Sequence, residues 1–121
     1  GMTLGLAMDG NVPISIFPRW NFLLYGVSQL VNHLDKFKVM SGNKLKPKMI
    51  IRTGVGSKRP LHPQFQHIGD FSDAIQKMCT SIEVVKLKEP RDIYQSYKKA
   101  YERKDGKNTI LVEYGDFYNE K

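Results

Sequence analysis

The sequence predicts an α/β domain, a mostly parallel sheet with helices on both faces. Three observations carry that expectation. Strand-patterned and helix-patterned segments alternate along the whole chain, the rhythm that builds βαβ units. Between Arg19 and Met40 the apolar positions Leu23, Val27, Leu30, Val31, Leu34 and Phe37 recur at spacings of three and four, which places them on one helix face. After the apolar run Met49-Ile50-Ile51 the pattern dissolves, and the carboxyl end of a strand is where open parallel sheets bind ligands.

Each element has its own signal. Residues 2 to 10 begin on small and apolar residues, like the last turns of a helix, and close on the turn signal Asp9-Gly10. Val12 to Phe17 alternates apolar residues and ends at Pro18, which reads as a short strand. The long helix stops at Ser41-Gly42-Asn43, and Met49-Ile50-Ile51 reads as a buried strand. Arg52 to His67 carries two glycines, two prolines, two histidines and three cations without periodicity, a length at which an irregular loop is usually functional. Asp70 or Ser72 can cap a short helix with Phe71, Ile75 and Met78 facing inward, and Ile82 to Leu87 is the next strand. Pro90 suits a first helical position, and the helix from Arg91 to about Arg103 gathers Ile93, Tyr97, Ala100 and Tyr101 on one side. Asp105-Gly106 ends it before the strand Thr109 to Tyr114.

With 121 residues, 40% hydrophobic and 26% charged, the chain can bury one core without disulfides or a structural metal, but not two. Residues 2 to 121 are read as a single partial domain, and Gly1 ahead of Met2 as the remnant of a cleaved tag. The single cysteine, Cys79, excludes an internal disulfide and a Cys-rich zinc site, and the expected setting is reducing and cytoplasmic. No apolar run approaches the roughly 18 residues of a membrane span. A net charge of +7 favours anionic partners where it clusters. Lys44, Lys46, Lys48, Arg52, Lys58 and Arg59 form a partial cluster.

Three constellations bear on chemistry. Thr53-Gly54-Val55-Gly56-Ser57-Lys58 imitates part of a phosphate-binding loop, but lacks its spacing and runs into Arg59-Pro60 instead of a helix. His62 and His67 would need a carboxylate from elsewhere to hold a metal. His67 is a candidate by its loop setting, His62 is less favoured, and His33 reads as a surface or capping imidazole. Phe17-Pro18-Arg19-Trp20-Asn21-Phe22 sets three aromatics at a strand-to-helix turn, either as core filling or as a platform for a flat ring.

A further set of residues runs in a recognisable order. It comprises Gly5-Leu6-Ala7-Met8-Asp9-Gly10, Asn21-Phe22, Gln29-Leu30-Val31-Asn32, Met40-Ser41-Gly42, Ile51-Arg52-Thr53-Gly54, Gln66-His67, Val84-Val85 and Leu111-Val112-Glu113. In that order the chain resembles the transketolase-like pyrimidine-binding domain of the β subunit of thiamine-diphosphate-dependent 2-oxo acid dehydrogenases. The resemblance implies that the domain holds the aminopyrimidine ring of thiamine diphosphate, with Phe22 as the stacking, cofactor-binding aromatic and His67 as the catalytic loop histidine. It also implies oxidative decarboxylation with acyl transfer to a lipoyl group, in which the cofactor carries the hard chemistry.

The chain departs from the family pattern in ways that shape the expectation. The family's essential glutamate precedes the stretch that matches Met2-Thr3-Leu4-Gly5, so the domain is read as cut short at its N-terminus and inactive alone. The Gly-Asp-Gly signature that anchors diphosphate and magnesium occurs nowhere in the sequence. The implied partners are therefore an α-type subunit or domain that binds magnesium and the diphosphate, a lipoyl-bearing acyltransferase, and further copies in a homo-oligomer. A transketolase-like enzyme is the nearest alternative. Others are a basic nucleic-acid-binding module, recognisable by binding that weakens steeply between about 50 and 200 mM salt, and a non-catalytic interaction subunit.

Overall fold

The computed structural model describes residues 2–42, 44, 46–58, 62 and 64–115, the side chain of His67 apart. Four strands, β1 (Ile14–Ile16), β2 (Ile50–Val55), β3 (Ile82–Leu87) and β4 (Asn108–Tyr114), form one all-parallel sheet in the order β1-β2-β4-β3. Among the described residues five α-helices accompany them: α1 (Met2–Met8), α2 (Trp20–Leu23), α3 (Asp35–Met40), α4 (Ser72–Met78) and α5 (Ile93–Glu102). The chain is thus α/β with a parallel sheet.

Topology decides which face each helix covers. The steps from β1 to β2 and from β2 to β3 run the same way across the sheet, whereas β3 to β4 runs back. Right-handed crossovers then put the helices of the two directions on opposite faces. Burial agrees, because successive strand residues point to opposite sides. Ile51, Ile110 and Val112 pack with Trp20, Leu30, Leu34 and Ile75. Ile50, Leu87 and Leu111 pack with Ala100 and, at its margin, Tyr97.

The segment from Trp20 to Met40 is helical throughout, with Leu23, Leu30 and Leu34 buried as their spacing requires. It is not one uniform helix. A 3-10 turn at Leu24–Gly26 and a π-helical stretch at Gln29–Leu34 separate α2 from α3. At the end of the π-helical stretch two consecutive residues, Leu34 and Asp35, are both buried.

Three expectations need correction. The irregular loop begins later than Arg52, since Arg52 to Val55 extend β2 by pairing with Leu111 to Tyr114 of β4. Gly54 conceals that strand in the sequence. Met78 is exposed, and Cys79 takes the inward place after Ile75. Ile93 and Tyr101 are exposed as well, so Ala100 and Tyr97 alone carry the buried stripe of α5. Gly1, and Asn43 in the expected helix stop, lie outside the described residues.

Candidate functional site

The connections that follow β2 and β3 lead to helices on opposite faces, and β4 ends between them. Such a divergence opens a crevice at the carboxyl ends of the strands. Glu113 and Tyr114, the last two residues of β4, point to opposite sides of it and each organises a cluster.

On the α2 side, the Tyr114 hydroxyl donates to Asp70 Oδ2 at 2.9 Å. Ser72 donates both its backbone N–H, at 3.1 Å, and its hydroxyl, at 2.5 Å, to Asp70 Oδ1. The fully buried Trp20 donates its indole N–H to Ser72 Oγ at 3.2 Å. Burial by itself would raise the Asp70 pKa, but hydrogen bonds from Ser72 and Tyr114 outweigh it and hold the carboxyl below its ordinary value. Burial, reinforced by the carboxylate of Asp70, pushes the Tyr114 phenol up to about 12.

This chain fixes the first turn of α2 against the segment entering α4. Phe22, on that turn, is 42% exposed. The short 3-10 turn Phe65–His67 lies against α2, so the backbone brings the loop histidine and the exposed ring to one region. The His67 side chain lies outside the described residues. The aromatic sextet therefore divides: Trp20 fills the core, Phe17 packs at its margin, and Phe22 faces outward. Two buried oxygens nearby in sequence and fold, Asn21 Oδ1 and Thr53 Oγ1, have no hydrogen-bond partner among the described residues.

On the α5 side, Arg52 grips Glu113 with both ends of its guanidinium, Nε to Oε1 at 2.8 Å and Nη2 to Oε2 at 2.9 Å. Tyr97 of α5 donates its hydroxyl to Oε1 at 3.1 Å. Two cavities of about 290 Å³ each meet at this pair. One opens between the ends of β1 and β2, and the other beside Leu87 to Pro90. Neither the Tyr114–Asp70–Ser72–Trp20 chain nor the Arg52–Glu113–Tyr97 cluster was visible in the sequence. The only sequence signal is the Glu-Tyr pair at the end of the last strand, whose alternation sends them apart.

The other candidates are placed simply. His33 is exposed on the helix, its Nδ1 2.8 Å from Gln29 Oε1. His62 is exposed and meets Phe65 edge to face, with ring centres 5.5 Å apart. No group of three or more His, Cys, Asp or Glu among the described residues could hold a metal. Thr53 to Val55 of the phosphate-loop imitation lie inside β2, paired with β4, so that stretch is strand and not a phosphate-binding loop. Of the basic cluster, Lys48 donates to the carbonyls of Tyr101 and Arg103 near the end of α5, and Arg52 holds Glu113. Arg59 lies outside the described residues. No helix among the described residues is long and apolar enough to cross a membrane. No protein-family model matches the chain, and no curated protein matches it.

Proposed function

We propose that this chain holds the aminopyrimidine ring of thiamine diphosphate as part of a β-type subunit of a 2-oxo acid dehydrogenase. The observation that carries the reading is the exposed Phe22 on the first turn after β1, with the 65–67 turn beside it at the carboxyl end of a parallel sheet. An exposed ring held by a rigid neighbour suits stacking on a flat heterocycle. The unpartnered oxygens of Asn21 and Thr53 fit a neighbourhood that expects polar company.

In this reading thiamine diphosphate, when bound, would supply the nucleophilic chemistry toward the 2-oxo acid. The protein's part is positional. Phe22 would fix the plane of the ring, Trp20 and Ser72 keep the Phe22 turn in place, and proton exchange is the role the resemblance gives to His67. An α-type partner chain or domain would hold the diphosphate and magnesium, and a lipoyl-bearing acyltransferase would be the acyl acceptor. The same placement would serve a transketolase-like enzyme.

The test is a titration of the chain with thiamine diphosphate and magnesium, followed by nuclear magnetic resonance so that millimolar affinities register. Shifts centred on the Phe22 ring and the amides of 65–69, retained in Phe22→Tyr and weakened at least about tenfold in Phe22→Ala, are the expected result. An unmoved Phe22 at saturating cofactor overturns the reading.

A further inference from the structure

The cavity between the ends of β1 and β2 is lined by the consecutive Ile16, Phe17, Pro18 and Arg19 and, from β2 and β4, by Arg52, Thr53, Gly54 and Glu113. Both oxygens of Glu113 are already held by Arg52, and Oε1 also accepts the Tyr97 hydroxyl. Arg19 has no ion-pair or hydrogen-bond partner for its guanidinium among the described residues. The described lining therefore carries two guanidiniums against one carboxylate, and the surplus charge sits next to apolar wall.

We infer that this cavity binds a short aliphatic carboxylate, with the Arg19 guanidinium as its principal partner and Ile16, Phe17 and Pro18 covering its hydrocarbon end. A guanidinium presents two parallel N–H donors to a carboxylate, a geometry that a point-charge ammonium cannot reproduce. A flat, singly charged carboxylate matches the one lining guanidinium without a described partner, whereas Glu113 in the same lining opposes the second negative charge of a phosphate. The inference rests on these side chains alone and is independent of the thiamine reading.

The experiment follows the Arg19 Nε–H resonance of the full chain during titration with propanoate, methyl propanoate and inorganic phosphate at constant ionic strength. Saturable movement with propanoate is expected, with none from the uncharged ester and a weaker response to phosphate. Arg19→Gln should weaken propanoate binding, read at the Gly54 amide, by about tenfold or more, and Arg19→Lys by an intermediate factor. Arg19 is a partly exposed residue whose side chain holds no partner among the described residues, so both variants should keep the wild-type circular dichroism. Equal response to acid and ester, phosphate binding more tightly than propanoate, or undiminished binding in Arg19→Gln overturns the inference.

Discussion

Asp35 Oδ1 accepts the backbone N–H of Ser81 at 2.6 Å, a hydrogen bond that ties the start of α3 to the start of β3. The carboxylate is fully buried and also accepts the N–H of Thr80 at 2.9 Å and the Lys36 ammonium at 2.6 Å. Burial would raise its pKa, but the bonds from Lys36, Thr80 and Ser81 together outweigh that and lower it. Asp35→Ala strands two N–H groups next to the core. It should cost about 2–4 kcal/mol, read as a lower urea midpoint at unchanged slope. Asp35→Asn keeps an acceptor and should cost less.

Acid sensitivity follows from the same carboxylate and from Asp70. Both have folded pKa values below the ordinary 3.8. Unfolded chains therefore bind more protons in that range, so the contribution is intact above about pH 4 and is lost as pH falls through the depressed folded values. Stability measured from pH 6 down to pH 2 should drop in that acid window, and the drop should shrink in Asp35→Asn. An unchanged acid limb in that variant would show that Asp35 does not contribute to it.

At the other extreme, Tyr114 ionises only near 12. A folded pKa above the unfolded one means that its contribution is complete below about pH 10 and is lost as pH rises toward 12. Ultraviolet titration should show a late phenol component that is missing in Tyr114→Phe. That variant also surrenders the bond to Asp70 and should lose about 1 kcal/mol.

Cys79 is 7% exposed, and its thiol is pushed up to about 11 by burial and by the nearby charge of Asp35, against a smaller opposing effect of Lys36. At pH 8 only about one thiol in a thousand is then ionised, against roughly a quarter in an unfolded chain. Native protein should react with a disulfide reagent at least about a hundredfold more slowly than denatured protein. Rapid labelling without loss of secondary structure would contradict this burial.

The elements with strong local periods were legible in the sequence, and the long-range polar pairs were not. Leu23, Leu30 and Leu34 announced a helix because a single buried stripe repeats every three to four residues. That repeat is blind to the π-helical stretch, inside which Leu30 and Leu34 keep the ordinary spacing of four and stay buried. Ile82 to Leu87 could be bounded to the residue, whereas Arg52 to Val55 could not, because a glycine and two polar residues interrupt the run. The Arg52–Glu113 pair spans 61 residues and depends on β2 lying beside β4, an order that crossover direction sets and local pattern does not reveal. The exposed face of Phe22 was one of two readings of an aromatic-rich turn. Separating it from Trp20 required knowing which residue of the turn meets the sheet.

Those two aromatics give the sharpest contrast between a structural and a functional role. Trp20 is wholly buried and bonds Ser72, while Phe22, two residues on, is 42% exposed. Trp20→Ala opens a large cavity and breaks the link to Asp70, which predicts a loss of about 3–5 kcal/mol. Phe22→Ala removes far less buried apolar area and should cost about 1 kcal/mol or less. Thermal and urea unfolding of the two variants measure the difference directly. If Phe22→Ala proves as damaging as Trp20→Ala, its ring belongs to the core and a stacking platform at this turn is untenable. If it is mild, and the same substitution still removes the cofactor-induced shifts, then the exposed ring is retained for binding and not for folding.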